Sequence, residues 1–187
     1  MRCSLADLKT VLADIAGRGI TRIICLGDTV GYGPEPLECV DLVRQHCAWS
    51  LMGNHDYGVL YEPTNFNPSA EGSAFWTREQ FDREPDEKKR AERYEYLNRL
   101  KVRVVEQIGP NGAEPGQGTG IPLLAVHGSP RRPINEYIFP DDAVIPLPRF
   151  GIDRLADRAE QAQALAARLC HPVVALAHQR ADRGRRG

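Results

Sequence analysis

Apolar residues in the first part of the chain alternate between helical and extended spacing. Residues 5–16 place apolar side chains at helical intervals behind Ser4, which suits the N-cap position of a helix. A continuous apolar run over 21–26 predicts a short buried strand, and a second helical pattern over 37–47 leads into a second strand over 48–52. Helix, strand, helix and strand in this order predict an α/β protein with a largely parallel sheet.

The middle of the chain is more polar. Residues 60–75 are rich in Asn, Pro and Ser and predict a loop, with a helix beginning near Ser73. Residues 81–103 are highly charged with a mostly helical pattern, which predicts a solvent-exposed surface element. Two extended runs, 102–108 and 121–126, lie on either side of a glycine-rich linker and predict a hairpin.

The C-terminal part combines a loop, a helix and a strand. Residues 128–150 are rich in proline and predict a loop, 153–169 predict an alanine-rich helix, and 172–176 predict a last strand. The segment 180–187 is basic and rich in glycine, which is typical of a disordered tail. We therefore expect one domain over residues 1–179 and a tail after it.

Composition narrows the class of protein without identifying a function. The 187 residues include 24 basic and 25 acidic side chains, and the net charge of −1 indicates neither a nucleic-acid nor an anionic-membrane partner. No apolar run approaches the roughly 20 residues that a membrane-spanning helix needs, and the N-terminus lacks a signal-peptide pattern. The 5 cysteines form no CxxC pair, which predicts reduced thiols and a cytoplasmic protein.

Side chains that commonly bind metals follow the ends of four apolar segments. Asp28 and Asn54 follow the first two predicted strands, and His127 and His178 follow two later ones. Polar groups at the carboxyl ends of strands lie at the mouth of an α/β sheet, where such folds place their sites. Taken singly, Asp28 fits a turn-capping residue and each histidine fits a structural one. Together they form a mixed oxygen and nitrogen set that suits a divalent transition metal.

The tetrapeptide Gly-Asn-His-Asp at 53–56 is more specific than any of these positions alone. His55 is placed to protonate a leaving group, and Asp56 to hold the His55 imidazole in the required tautomer. The alternative interpretation is an Asn-rich turn with a surface histidine.

Two arginines follow His127 closely and are candidates for binding phosphate. The guanidinium forks of Arg131 and Arg132 match phosphate oxygens in geometry and charge. A solvated charge pair on a loop is the alternative interpretation. The segment 31–34 contains two glycines and a proline, so it is either a simple turn or a loop whose backbone N–H groups approach a phosphate.

Taken together, the motifs resemble the calcineurin-like metallophosphoesterase superfamily. The residues that carry the resemblance are Gly-Asp at 27–28, the tetrapeptide at 53–56, Val-His-Gly-Ser-Pro at 126–130 and Ala-His at 177–178. The segment 26–34 is similar to the small bacterial and archaeal phosphodiesterase-like branch in particular.

The resemblance implies a fold and a mechanism. The fold would be a four-layer αββα sandwich with two mixed sheets and a two-metal site at the strand ends. Family members use Mn, Fe, Zn or similar ions about 3.5–4 Å apart, both of which clamp the phosphate of a phosphoester substrate while a bridging hydroxide attacks phosphorus.

The resemblance also implies roles for individual residues. Asp28 resembles the bridging ligand, and His55 resembles the acid or phosphate contact, with Asp56 as its orienting partner. The other ligands of the second metal are matched by Asn54, His127 and His178. The residues expected to contact the substrate are Asn54, His55, Arg131 and Arg132.

The chain departs from the family pattern at both ends. The family opens with Asp-x-His, which holds the first metal, but here Arg2 falls near that histidine and the aspartate has no counterpart. The last family motif, Gly-His-x-His, reads Ala-His-Gln-Arg over 177–180, so Arg180 replaces the second histidine. We expect a domain truncated at both ends, without the first strand and the C-terminal strands, that retains one metal site and has largely lost the other. Loss of a central strand would leave neighbouring strands with unpaired edges.

Two interpretations of the function remain open from the sequence. The first is a metal-dependent phosphoester hydrolase with one intact metal site. The second is a catalytically impaired relative that binds a metal ion or a phosphate, or a fragment of a longer hydrolase.

Overall fold

Helices and strands alternate along the part of the chain that is described. The computed structural model of the chain describes residues 4–108 and 121–137, and the backbone of 173–175. In chain order the elements are α1 (Leu5–Gly17), β1 (Ile23–Cys25), α2 (Pro36–His46), β2 (Trp49–Ser50), α3 (Asn54–Leu60), α4 (Pro68–Asp82), α5 (Glu87–Asn98), β3 (Arg103–Ile108), β4 (Ile121–Val126) and β5 (Val173–Ala175).

The described strands form two small sheets. One has the strand order β2-β1-β5, with β1 parallel to β2 and antiparallel to β5. The other is the antiparallel pair of β3 and β4, in register from Arg103 opposite Val126 to Ile108 opposite Ile121. The mixed α/β class and the hairpin are therefore confirmed. The predicted helix 153–169 and the tail 180–187 lie outside the described residues.

The direction of β5 corrects the expectation of a largely parallel sheet. Its residue Val173 pairs with Cys25 and its residue Ala175 pairs with Ile23, so β5 ends at the opposite end of β1 from Asp28. A run of apolar residues predicts a strand but not its direction, because direction depends on the connection between strands.

The N-terminal helix forms as the sequence predicts. Ser4 is the N-cap of α1, and its side chain exchanges hydrogen bonds with Asp7 in a capping box. The side chains of Leu8 and Ile15 on the apolar face are buried in a cluster that includes Cys25 of β1. Helix α1 is therefore held by both its cap and its packing.

The polar middle of the chain is more helical and more buried than the sequence predicted. Helix α4 begins at Pro68, not near Ser73, because Asn67 caps it by accepting a hydrogen bond from the Ala70 N–H. The segment predicted as one charged surface element contains the end of α4 and all of α5, and it contributes Phe81 and Leu97 to the fully buried core. A few large apolar residues in a charged segment are enough to bury one face of a helix.

The main core lies beneath the loops that follow β1 and β2. It joins Met52, directly after β2, with side chains of the helices α2 to α5, among them Val40, Val59, Phe81 and Leu97. The loops at the strand ends thus rest on a packed base, which gives the polar residues above it fixed positions.

Candidate metal centre

Three chain segments meet where β1, β2 and β4 end. A Cβ atom built on Gly27 would lie 2.6 Å from the Gly53 backbone nitrogen and 2.8 Å from His127 Nδ1. Gly27 also has a φ of +100°, which favours glycine. Only a residue without a side chain permits this approach, so the glycines that end the strands bring Asp28, Asn54 and His127 together.

Three acceptor atoms from the three segments face each other at this junction. His127 Nε2 lies 3.1 Å from Asn54 Oδ1 and 3.4 Å from Asp28 Oδ1. The other ring nitrogen, Nδ1, lies 2.7 Å from the carbonyl oxygen of Leu26. Because a carbonyl oxygen can only accept, Nδ1 carries the hydrogen and Nε2 of the neutral ring presents a lone pair. We call Asp28 Oδ1, Asn54 Oδ1 and His127 Nε2 the acceptor cluster.

The acceptor cluster fits a divalent cation. A carboxylate oxygen, an amide oxygen and an imidazole nitrogen suit ions such as Mn, Fe or Zn, and a cation would satisfy all three lone pairs. The backbone contact of His127 Nδ1 is the type of outer interaction that orients a metal-binding imidazole. Within residues 4–108 and 121–137 no three His, Cys, Asp or Glu residues are grouped to hold a metal. A metal site here therefore needs the amide oxygen of Asn54 as its third ligand, beside Asp28 and His127. His178 lies outside the described residues.

The structure gives Asp56 a different role from the one expected. Its Oδ2 accepts hydrogen bonds from the Asp28 N–H (2.7 Å) and the Gly53 N–H (2.9 Å), and its Oδ1 accepts from the Val30 N–H (3.3 Å). The expected contact with the His55 ring is therefore corrected, because near the start of α3 the carboxylate reaches back to the helix end. Complete burial, together with the charge of Asp28, raises the pKa of Asp56 to about 7.

Asp28 is held in an uncommon backbone conformation. Its φ of +54° lies in the left-handed region, which non-glycine residues seldom adopt. Asp56 stabilises this conformation through the Asp28 N–H. The Asp28 carboxylate has two further partners, the His55 N–H at Oδ1 (3.0 Å) and the Tyr32 hydroxyl at Oδ2 (3.1 Å). Tyr32 was not among the predicted site residues, and its place in the segment 31–34 was the only signal for it.

His55 is buried between two aromatic rings. Its ring centroid lies 4.1 Å from that of Tyr32 and 4.8 Å from that of Phe66, and the residue is only 5% exposed. Its Nδ1 has no hydrogen-bond partner among the described residues. Burial lowers the pKa of His55, which favours the neutral ring. The alternative of a surface histidine is therefore wrong, and the ring is oriented by packing.

The two predicted phosphate-binding arginines have different surroundings. Arg131 forms an ion pair with Glu136. Arg132 lines a cleft of about 1020 Å³ that the acceptor cluster adjoins. Other residues that line this cleft are Asn54, His55, His127, Tyr32, Phe66, Trp76 and Tyr137. Of the two arginines, Arg132 is the one that the structure places beside the cluster.

The chain has an α/β fold, and the side chains of Asp28, Asn54 and His127 meet where its strands end. A carboxylate, an amide oxygen and an imidazole are side chains that divalent metals bind. The family model described as calcineurin-like phosphoesterase matches residues 2–185, and the chain belongs to this family. The family generally binds divalent metals and hydrolyses phosphoesters. No helix in the described residues is long and apolar enough to cross a membrane.

The chain is also similar to two archaeal proteins, one in sequence and one in fold. The chain is 37% identical over 141 residues to the uncharacterized protein MJ0912 of Methanocaldococcus jannaschii, across 74% of this chain and 51% of that protein. It is similar in fold to the crystal structure of hypothetical protein PH1004 from Pyrococcus horikoshii OT3, with a TM-score of 0.52, 20% identity, and coverage of 73% of this chain and 54% of that one. The chain thus spans about half the length of either relative.

Proposed function

We propose that the chain is a metal-dependent phosphoester hydrolase whose retained metal site is formed by Asp28, Asn54 and His127. The fourth ligand that the resemblance implies, His178, is not part of this proposal, because β5 ends at the opposite end of β1 from Asp28. The observation that carries this proposal is the acceptor cluster. With the His127 ring neutral, the lone pair of Nε2 faces two oxygens at 3.1 Å and 3.4 Å, and these lone pairs repel each other unless a cation lies among them. Asp28 Oδ1 accepts the His55 N–H, which leaves a further lone pair on this oxygen for a cation.

The ion that best fits the cluster is Mn, Fe, Zn or a similar divalent cation. When bound, it would supply positive charge for the phosphate oxygens and lower the pKa of water. We expect one ion, because Arg180 stands at the position of the second histidine in the last family motif.

Residues of the cleft would bind and orient the substrate. His55 and Asn54 line the cleft beside the cluster, and the His55 ring is held there by its aromatic neighbours. Its neutral form can donate one hydrogen bond to a phosphate or leaving-group oxygen. Arg132 supplies a positive charge on the same cleft. Asp56 does not contact substrate in this proposal; it fixes the two loops that carry the ligands.

The size of the cleft indicates a substrate larger than inorganic phosphate. About 1020 Å³ is at the upper end of the volumes of small-molecule sites, so the cleft has room for the organic group of a phosphoester. The nearly balanced charge of the chain favours a small phosphoester over a nucleic acid, and a cytoplasmic location stays a prediction.

A second candidate is a relative that binds a metal ion or a phosphate without turnover. The observation that favours it is Arg180, since a single ion cannot clamp both the attacking and the leaving oxygen. The two candidates predict the same ion binding and differ only in turnover.

The test combines hydrolysis with ion binding. The purified chain is incubated with Mn(II) and with p-nitrophenyl phosphate or bis(p-nitrophenyl) phosphate, and Mn(II) binding is measured by calorimetry. We expect one ion per chain and release of nitrophenol that His127→Ala abolishes and His46→Ala does not. Ion binding without release above the buffer rate would establish the second candidate. A folded chain that binds no ion would overturn both.

A further inference from the structure

Tyr32 occupies a fixed position above the candidate metal centre. It follows Gly31, whose φ is +96° and whose carbonyl oxygen accepts a hydrogen bond of 2.5 Å from the Ser73 hydroxyl of α4. A Cβ atom on Gly31 would lie 2.3 Å from His55 Nδ1, so the loop passes directly over the buried histidine. The loop is thus anchored to α4 on one side and packed on His55 on the other, which fixes the place of Tyr32.

The Tyr32 side chain contacts two residues of the site at once. Its hydroxyl donates to Asp28 Oδ2 (3.1 Å), and its ring packs on the ring of His55 with a centroid distance of 4.1 Å. The two oxygens of the Asp28 carboxylate are equivalent, so its hydrogen bonds fix the plane of the group: Oδ2 accepts from the Tyr32 hydroxyl and Oδ1 accepts from the His55 N–H. In this plane Oδ1 lies 3.4 Å from His127 Nε2.

We propose that Tyr32 is a positioning residue of the metal centre. Its hydroxyl holds the Asp28 carboxylate so that Oδ1 is presented to the cation, and its ring shields His55 from water. This inference rests on the proposed function, since it assigns a role in cation binding. Outer hydrogen bonds to a ligating side chain typically change metal affinity about 10- to 100-fold, so the effect is measurable.

The substitution Tyr32→Phe isolates the hydroxyl. It keeps the ring, and the residue is 41% exposed, so the metal-free chain should melt at the same temperature as the wild type. Tyr61→Phe is a matched control: Tyr61 is 46% exposed and its hydroxyl donates to Asn98 Oδ1 (3.2 Å), outside the residues that line the cleft.

The experiment is calorimetric titration of the three chains with Mn(II), together with thermal melting of each metal-free chain followed by circular dichroism. We expect Tyr32→Phe to bind Mn(II) about tenfold more weakly at an unchanged melting temperature, and Tyr61→Phe to bind like the wild type. Equal or tighter binding by Tyr32→Phe overturns the inference. Weaker binding with a lower melting temperature also overturns it, because that result marks a general structural loss. A wild-type chain that binds no Mn(II) overturns the proposed function as well.

A second variant separates the ring from the hydroxyl. Tyr32→Leu removes both, so its Mn(II) affinity should equal that of Tyr32→Phe. Its kcat at saturating Mn(II) should be lower than that of Tyr32→Phe, because the His55 ring loses one of the two aromatic rings that pack against it. Identical kcat values for the two variants would remove the shielding role and leave only the role of the hydroxyl.

Discussion

Two clusters of polar side chains differ in their balance of donors and acceptors. In the first, Arg93 of α5 donates to Asp41 with distances of 3.1 Å and 2.7 Å and to Glu84 through a further hydrogen bond, and we call these three residues the Arg93 cluster. At the strand ends, the acceptor cluster brings three lone pairs together. The first cluster supplies a charged donor for both carboxylates, whereas in the second the backbone N–H of His55 reaches Asp28 Oδ1 and leaves room for a cation among the three acceptors.

The contrast distinguishes a cluster that needs no ligand from one that a cation would stabilise. Buried polar groups are almost always hydrogen-bonded, so a cluster that satisfies itself needs no ligand to explain it. A cluster of acceptors alone is stabilised when a cation binds. The two clusters should therefore respond in opposite ways to mutation: the Arg93 cluster through stability, and the acceptor cluster through ion binding.

The largest effect is expected at Arg93. The substitution Arg93→Ala removes a buried side chain that donates to both Asp41 and Glu84, so the free energy of unfolding should fall clearly more than in the control variant. Urea denaturation measures this change. The control is Arg44→Ala, since the ion pair of Arg44 with Glu92 is 41% exposed on both sides and should contribute about 1 kcal/mol or less. Equal losses in the two variants would contradict the structural role assigned to the Arg93 cluster.

Substitution of His127 should weaken ion binding and leave the fold intact. His127→Ala removes one of the three acceptors, and we expect Mn(II) affinity to fall about 100-fold, which corresponds to about 2.7 kcal/mol. The metal-free chain should lose little stability by urea denaturation, because the lost hydrogen bond to the Leu26 carbonyl oxygen is offset by the relief of repulsion among the acceptors. The exposed His46 at the end of α2 provides the control variant His46→Ala. Loss of stability in place of affinity would assign the acceptor cluster to the structural type.

Gly31→Ala tests the close contact between the Gly31 backbone and the His55 ring. The added Cβ would meet His55 Nδ1 at 2.3 Å, and the φ of +96° is unfavourable for alanine, so we expect a stability loss of about 1–2 kcal/mol and displacement of the His55 ring. Gly72→Ala in α4 is the matched control. Nothing lies within 4 Å of its added Cβ, and the substitution should stabilise the helix by about 0.5–1 kcal/mol. The His55 imidazole signals in NMR spectra report the displacement.

The smallest expected effect is the loss of stability at low pH when Glu84 of the Arg93 cluster becomes protonated. The hydrogen bond from Arg93 lowers the pKa of Glu84 below its usual value of 4.5. A lowered carboxyl pKa contributes stability that is present above pH 4.5 and is lost as pH falls through the folded-state value. The urea midpoint of the wild type should therefore decrease below pH 4.5, and that of Glu84→Gln should decrease less. Parallel pH curves for the two chains would show that this pair does not contribute.

The sequence predicted the location of the site better than its internal contacts. Asp28, Asn54 and His127 each follow an apolar run, and the ends of such runs meet at one edge of the fold. Asp56 was assigned to the wrong partner because its nearest neighbour along the chain was a histidine. Its place near the start of α3 is what directs the carboxylate to backbone N–H groups, and that place depends on where the helix begins.

Contacts between distant segments were not readable from the sequence. The direction of β5 depends on pairing with β1, and a three-residue apolar strand carries no signal for it. The role of Tyr32 depends on the loop that places its hydroxyl beside Asp28. The burial of Phe81 depends on helix packing that a charged segment conceals. In each case tertiary contacts decide what local patterns leave open.

The most direct test of the account is pulsed electron paramagnetic resonance of Mn(II) bound to the chain. If the cation lies in the acceptor cluster, the wild-type spectrum contains a nitrogen hyperfine coupling from an imidazole, and His127→Ala reduces it. Identical nitrogen couplings in the two chains, or no bound Mn(II) in the wild type, would contradict the assignment of the strand-end cluster as a metal centre.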